Sequence, residues 1–192
     1  MHTIDWTSGT WTHEPCTATV EGGDLVVEAA EGSDAWRHTS YGFVHASEHA
    51  LLAPLGSEAA VEVDFDAEMS EQFDQAGLFL AADEEHWIKA GVEFADGALQ
   101  VGAVVTWPRS DWSVAPVPQW NSGRVSIRAS RSGDAITVRA RSNDGPWQLV
   151  RVIPVPPEAE LRAGPFVAAP TRWGLVVRFT GWRVGEPDAS LH

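Results

Sequence analysis

Lys89 is the only lysine in the chain; the other twelve basic residues are arginines. It lies in Trp87-Ile88-Lys89-Ala90-Gly91-Val92-Glu93-Phe94, where period-two alternation predicts a strand that turns Ile88, Ala90, Val92 and Phe94 toward a core. Trp87, Lys89, Gly91 and Glu93 then share the opposite face. An ammonium donor, a carboxylate acceptor and a flat indole on one face can hold a polar ligand through hydrogen bonds and ring stacking. Residues i and i+4 on a strand lie about 13 Å apart, so Lys89 and Glu93 are not an automatic ion pair. Each should instead meet a side chain on a neighbouring strand. Gly91 leaves open floor between them. The plainer alternative is an ordinary polar outer face.

The segment Phe73-Asp74-Gln75-Ala76-Gly77-Leu78-Phe79-Leu80 extends this face with Gln75, Gly77 and Phe79. Asp74 falls on the core side unless a bulge reorients it, or it binds backbone amides where the strand begins. Ser110-Asp111-Trp112-Ser113, following Trp107-Pro108, reads as a polar loop with two tryptophans at the sheet rim. Trp112 either stacks on a ligand or seals the end of the fold, with Asp111 capping a turn. Trp36 and Tyr41 form a candidate stacking wall, and Arg37, amid so many acids, should find an ion-pair partner.

Catalysis by paired carboxylates would use Glu93 with Asp111 or Asp74, since glycoside hydrolysis needs two carboxyl groups within about 5–10 Å. Glu62, Asp64, Asp66 and Glu68 alternate onto one face, but Val61, Val63 and Phe65 explain that pattern as a half-buried strand with a solvated acidic side. His38, His45 and His49 lack a third ligand at a metal-binding spacing, and they are expected in loops or on the surface. No phosphate loop, nucleophile elbow or Cys-His pattern is present, so neither a cofactor nor a metal is expected. Cys16, the single cysteine, has no internal disulfide partner and is expected to pack or sit in a turn.

The elements that must position these residues are strands. Short alternating runs recur at 25–29, 60–65, 76–81, 87–94, 99–107, 124–129, 135–141, 147–152 and 175–179, separated by Gly, Pro, Asn and Asp turns. Asp96-Gly97 marks a hairpin. Val125, Ile127 and Ala129 alternate against Arg124, Ser126 and Arg128; Ile136, Val138 and Ala140 alternate against Thr137, Arg139 and Arg141. Such patterning predicts an all-β, two-sheet antiparallel sandwich. The prolines after Ile153 argue against a central strand there. A chain of 192 residues forms one domain, expected over residues 1–185, with 186–192 as a loosely held C-terminal tail.

Formal charge is −14. Residues 1–96 hold 20 acids against Arg37 and Lys89, a net of −18, whereas residues 97–192 hold 7 acids and 11 arginines, a net of +4. So acidic a surface repels phosphate backbones and excludes nucleic acid as a partner class. No segment approaches the roughly 20 apolar residues that span a bilayer, and no secretory signal opens the chain. A cytoplasmic protein without a membrane partner is the resulting expectation.

Four blocks together resemble the DUF1349 family of concanavalin A-like jelly-roll proteins: Ser33-Asp34-Ala35-Trp36-Arg37, Phe73-Asp74-Gln75-Ala76-Gly77-Leu78, Trp87-Ile88-Lys89-Ala90-Gly91-Val92-Glu93 and Ser110-Asp111-Trp112-Ser113. The resemblance runs over roughly residues 4–182. It implies a jelly roll with a concave face, and it places the family's characteristic positions at Trp36, Asp74, Gln75, Lys89, Glu93, Asp111 and Trp112. The chain departs from the family pattern at Ala35, where an aromatic is usual, and at Trp107-Pro108-Arg109. Those changes touch pocket walls more than the Lys-Glu face. The family carries no settled biochemical activity, and a fold does not transmit function.

The expected function is non-catalytic binding of a carbohydrate or small polar metabolite. The expected site comprises Trp36, Asp74, Gln75, Trp87, Lys89, Glu93, Asp111 and Trp112. A glycoside-active enzyme and a regulatory protein-interaction domain are the alternatives, with a homodimer or a regulatory protein as further candidate partners.

Overall fold

The computed structural model describes residues 1–66 and 68–191; Ala67 and His192, the last residue of the expected tail, lie outside the described residues. The chain opens with β1 (His2–Thr3) and β2 (Thr10–Trp11), followed by the hairpin of β3 (Thr17–Glu21) and β4 (Asp24–Glu28). A small hairpin, β5 (Ala35–Arg37) and β6 (Val44–Ala46), precedes β7 (His49–Leu55) and β8 (Ala59–Asp66). Then come β9 (Gln75–Ala81), β10 (Trp87–Ala95), β11 (Ala98–Thr106) and β12 (Ser110–Pro116). The remaining strands are β13 (Arg124–Ser132), β14 (Ala135–Ser142), β15 (Gln148–Pro154), β16 (Leu161–Ala168) and β17 (Val176–Gly185).

One sheet runs β15-β14-β13-β8-β17-β4-β3, with β1 added beside β17; the other runs β12-β11-β10-β9-β16-β7-β2. The two pack face to face as an antiparallel sandwich, a concanavalin A-like jelly roll. Alternation sends Val61, Val63, Phe65, Val125, Ile127, Ile136 and Val138 from the first sheet against Leu78, Leu80, Ile88, Val92 and Leu99 from the second, all nearly inaccessible to water. Full burial of each such side chain is worth about 1.5–3 kcal/mol, which makes register the main thing this core specifies. Among the described residues no helix is long and apolar enough to cross a membrane.

One expectation is revised by the strands, and two strands appear that the alternation did not show. Ser110–Ser113 is not a loop but the start of edge strand β12, paired residue by residue with β11. β7 and β16 escaped the alternation pattern because both of their faces are covered: Leu51 and Ala163 pack into the main core, while Ala50, Leu52 and Phe166 join a second apolar cluster on the outer side. Pro165 even sits within a central strand. It pairs with Leu78 of β9, while the ladder to β7 is interrupted at Gly164 and Pro165.

The outer face of the first sheet also differs from expectation. Glu62 and Asp64 are buried rather than solvated, because Arg183 reaches across to both and Arg128 lies 3.6 Å from Glu62. The segment after β17 is anchored there too. Asp188 bridges Arg128 and Arg139 and donates its backbone N–H to Ser130, and Arg139 bonds the Leu191 carbonyl. Cys16 is exposed, its backbone N–H donated to the Glu28 carbonyl at the start of the β3–β4 hairpin.

Candidate functional site

The outer face of the seven-stranded sheet carries the site, and pairing register decides who meets whom. Lys89 sits opposite Phe79 on β9 and Val104 on β11, and Val104 in turn faces Trp112 on β12. Two residues along β10, Gly91 lies directly between Gly77 and Gly102. Two further on, Glu93 lies between Gln75 and Gln100. The glycine row is a trough. A Cβ on Gly91 would stand 2.1 Å from the Ala76 carbonyl oxygen, and one on Gly77 2.2 Å from that of Ala90. With no side chains rising from this row, the Lys89 side chain lies down along it and donates to Gln75 Oε1 at 2.7 Å.

Lys89 Nζ also donates to Asp34 Oδ1 at 2.8 Å. Asp34 comes from the loop before β5. That loop is held by Ser33, which accepts the Ala169 N–H and donates to the Ala30 carbonyl, and by the reciprocal backbone and hydroxyl bonds of Asp34 and Ser47. Gln75 Nε2 completes the triangle, donating to Asp34 Oδ1 and to the Phe73 carbonyl. Burial pushes the Asp34 carboxyl up, but the Lys89 ammonium and the hydrogen bonds from Lys89 and Ala35 outweigh it and hold the group below the usual carboxylate range. Asp34 therefore stays ionised, and Lys89 is already neutralised.

Glu93 stands apart from this triangle. Its Oε1 is buried and has no hydrogen-bond partner among the described residues. Burial drives its carboxyl up to about 7, against the pull of Lys89 and with help from the negative charges of Asp34 and Asp96. It can therefore hold or release a proton near neutrality. Glu48, buried beside the start of β7, is likewise raised by burial.

Over this floor lies a cavity of about 400 Å³. The β5–β6 hairpin makes one side of it, tied to β12 by the Arg37 N–H bonded to the Ser110 hydroxyl. Its rings interlock: Trp36 meets Tyr41 edge-on at 5.7 Å and Trp112 at 6.5 Å, and Tyr41 stacks on Phe43 at 5.3 Å. Phe43 in turn meets His45 at 4.5 Å. Phe73, at a φ of 69°, and Pro170 also line the cavity. Arg37 is paired with Glu85 at 2.6 Å, outside the cavity, as its acidic surroundings predict.

Of the eight expected site residues, five line this cavity: Trp36, Gln75, Lys89, Glu93 and Trp112. The other three lie elsewhere. Trp87 is buried in the second apolar cluster, stacked on Phe79 at 5.4 Å, so it supports the floor from beside it. Asp74 is fully buried at the start of β9, accepting the Ser70 and Glu71 N–H groups and paired with Arg172 at 2.8 Å. Asp111 pairs with Arg151 at 2.7 Å. It sits opposite Val105, which itself faces the core residue Ile88, so alternation puts it on the other face of the sheet from Glu93. Neither aspartate is brought together with Glu93.

Asp34, Phe43, His45 and Phe73 line the cavity without having been predicted for it. Asp34 had a signal, since it opens the Asp34-Ala35-Trp36 block; the others lie in loops or in a three-residue strand too short to show a period. Among the described residues no group of three or more His, Cys, Asp or Glu side chains is placed to hold a metal ion. His49 is instead a buried structural group, its Nε2 accepting the Ala30 N–H, and burial lowers its pKa.

A family model described as a protein of unknown function, DUF1349, matches residues 11–187. The chain is 34% identical over 185 residues to regulation of enolase protein 1 of Saccharomyces cerevisiae, covering 96% of this chain and 93% of that one. It superposes with a TM-score of 0.90 on the crystal structure of a functionally unknown S. cerevisiae protein, at 32% identity and covering 97% of this chain and all of that one. A xylan β-1,4-xylosidase from Bacillus halodurans matches at a TM-score of 0.72 and 17% identity; 95% of this chain lies on 38% of that enzyme, a likeness of fold. With the same four sequence blocks assembled around one cavity, and with matches that span nearly its whole length, the chain belongs to the DUF1349 family.

Proposed function

We propose that this protein binds a carbohydrate or small polar metabolite, without turning it over, in the cavity above the seven-stranded sheet. The observation that carries the reading is the Asp34–Lys89–Gln75 triangle, a preorganised polar network at the base of an aromatic-walled cavity. Polar groups held in place at the foot of apolar walls are what a small-ligand site needs for orientation and for area. Trp36, Tyr41 and Trp112 supply flat faces, and Glu93 supplies a carboxyl whose Oε1 has no partner among the described residues. Turnover through Glu93 with Asp74 or Asp111 is disfavoured because those aspartates are committed to Arg172 and Arg151.

A thermal-shift screen of mono- and oligosaccharides and polar metabolites tests the reading, because selective binding raises the folded state's apparent stability. Wild type should show a dose-dependent shift with one ligand class, and the Trp112→Ala variant should lose it. Recovery of the ligand unchanged after long incubation checks the absence of turnover. No shift with any class would overturn the reading and favour the regulatory protein interaction that the yeast relative's name suggests.

A further inference from the structure

We infer that the ligand of this cavity carries a protonated primary amine, received by Glu93 and Asp34 and enclosed by the aromatic walls. The inference rests on the preceding reading, that the cavity takes a small ligand, and it names the chemical group such a ligand must bring.

A donor and acceptor census of the floor carries the argument. Gln75 spends its Nε2 on Asp34 and Phe73. Lys89 spends two of its three N–H groups on Asp34 and Gln75. The Trp36 indole N–H is given to the Thr39 carbonyl. The donors of the floor are thus almost all satisfied within the protein; the donors without a hydrogen-bond partner among the described residues, the Trp112 indole N–H, the Tyr41 hydroxyl and the His45 ring, belong to the walls. Acceptors are not. Glu93 Oε1 is buried without a partner, and Asp34 takes all its bonds on Oδ1, leaving Oδ2 with none among the described residues. A buried acceptor left unpaired is costly, so the complementary ligand presents N–H or O–H donors rather than acceptors.

Charge selects between those two. The lining includes two carboxylates, Asp34 and Glu93, one ammonium, Lys89, which Asp34 already neutralises at 2.8 Å, and the imidazole of His45. Ionised Glu93 therefore has no counter-charge of its own. Burial also raises its carboxyl toward neutrality, so a neighbouring cation would draw its proton off and gain a full ion pair. The walls agree: Trp36, Tyr41, Phe43 and Trp112 present the π-faces that attract an ammonium. An N-terminal half of net −18 adds a field that draws cations in. A primary ammonium meets every term, offering three donors and one positive charge. A neutral hydroxyl offers one donor and no charge.

Matched pairs of probes test this: cyclohexylamine against cyclohexanol, and glucosamine against N-acetylglucosamine, titrated by saturation-transfer NMR at pH 7. Each amine should bind about tenfold or more tightly than its neutral partner. Glu93→Gln, which keeps the side chain's shape, should reduce that preference to about twofold. Equal affinity within the pairs, or a preference that survives Glu93→Gln, overturns the inference while leaving the cavity's small-ligand role intact. Absence of binding by all four probes and by the wider sugar panel overturns both.

Discussion

Asp34 and Lys89, 55 residues apart in the chain, meet at 2.8 Å on the outer face of the seven-stranded sheet. The pair pins the loop before the β5–β6 hairpin to the middle of β10, and so fixes the distance between the cavity's roof and its floor. Lys89 is almost wholly buried, and removing its partner leaves an ammonium with no counter-charge. The single variants Asp34→Asn and Lys89→Met should both destabilise the fold, the first by about 3 kcal/mol, whereas the double variant Asp34→Asn/Lys89→Met should recover much of that loss. Chemical denaturation of the two single variants and the double variant closes the cycle. Additive losses would mean that the pair is not coupled.

Glu93 makes stability depend on pH with a definite sign. Its carboxyl is held at about 7 in the folded state against an ordinary 4.5, so the folded protein keeps a proton that the unfolded chain releases. The contribution of Glu93 to stability therefore falls as pH rises from about 4.5 to about 7 and levels off above that, by at most about 3 kcal/mol. Glu93→Gln removes this contribution. The variant should gain on wild type as pH rises through that window, and melting curves from pH 4.5 to 8.5 measure the gap. A constant gap would contradict the assignment.

Trp112 and Trp87 separate wall from support. Trp112 is 39% exposed on edge strand β12, so Trp112→Ala should cost at most about 1 kcal/mol while abolishing ligand binding. Trp87 is buried in the second apolar cluster, and Trp87→Ala should cost about 3–5 kcal/mol. Denaturant midpoints alongside a binding assay distinguish the two positions.

Gly91 tests the trough. Gly91→Ala places a methyl 2.1 Å from the Ala76 carbonyl oxygen, on backbone that cannot move without parting β9 from β10. A loss of about 1–3 kcal/mol is expected, and amide hydrogen exchange should show it concentrated in those two strands.

The sandwich was legible in the chain because its core strands have one polar and one apolar face. Val125 to Ala129 and Ile136 to Ala140 alternate cleanly, and the structure buries the predicted side of each. Where both faces are covered the signal vanishes: His49–Leu55 reads as a featureless apolar run, and Gly164-Pro165 disguises β16. The same reasoning explains Asp111 and Trp112. Read as a loop they could act together, but as neighbours on β12 they point to opposite faces.

The sequence by itself determined which residues of β10 share a face. Alternation is a local property of the backbone, and Trp87, Lys89, Gly91 and Glu93 needed nothing else to be grouped. Register across strands, and the loop that comes to rest above them, were decided by tertiary structure alone. Pairing of β9 with β10 set Gln75 beside Glu93, and the loop held by Ser33 and Ser47 brought Asp34 onto Lys89. Both depend on contacts distant in sequence, whose energies arise only when the two sheets close on a common core. The lone lysine marked the site; its partners became visible only with the fold.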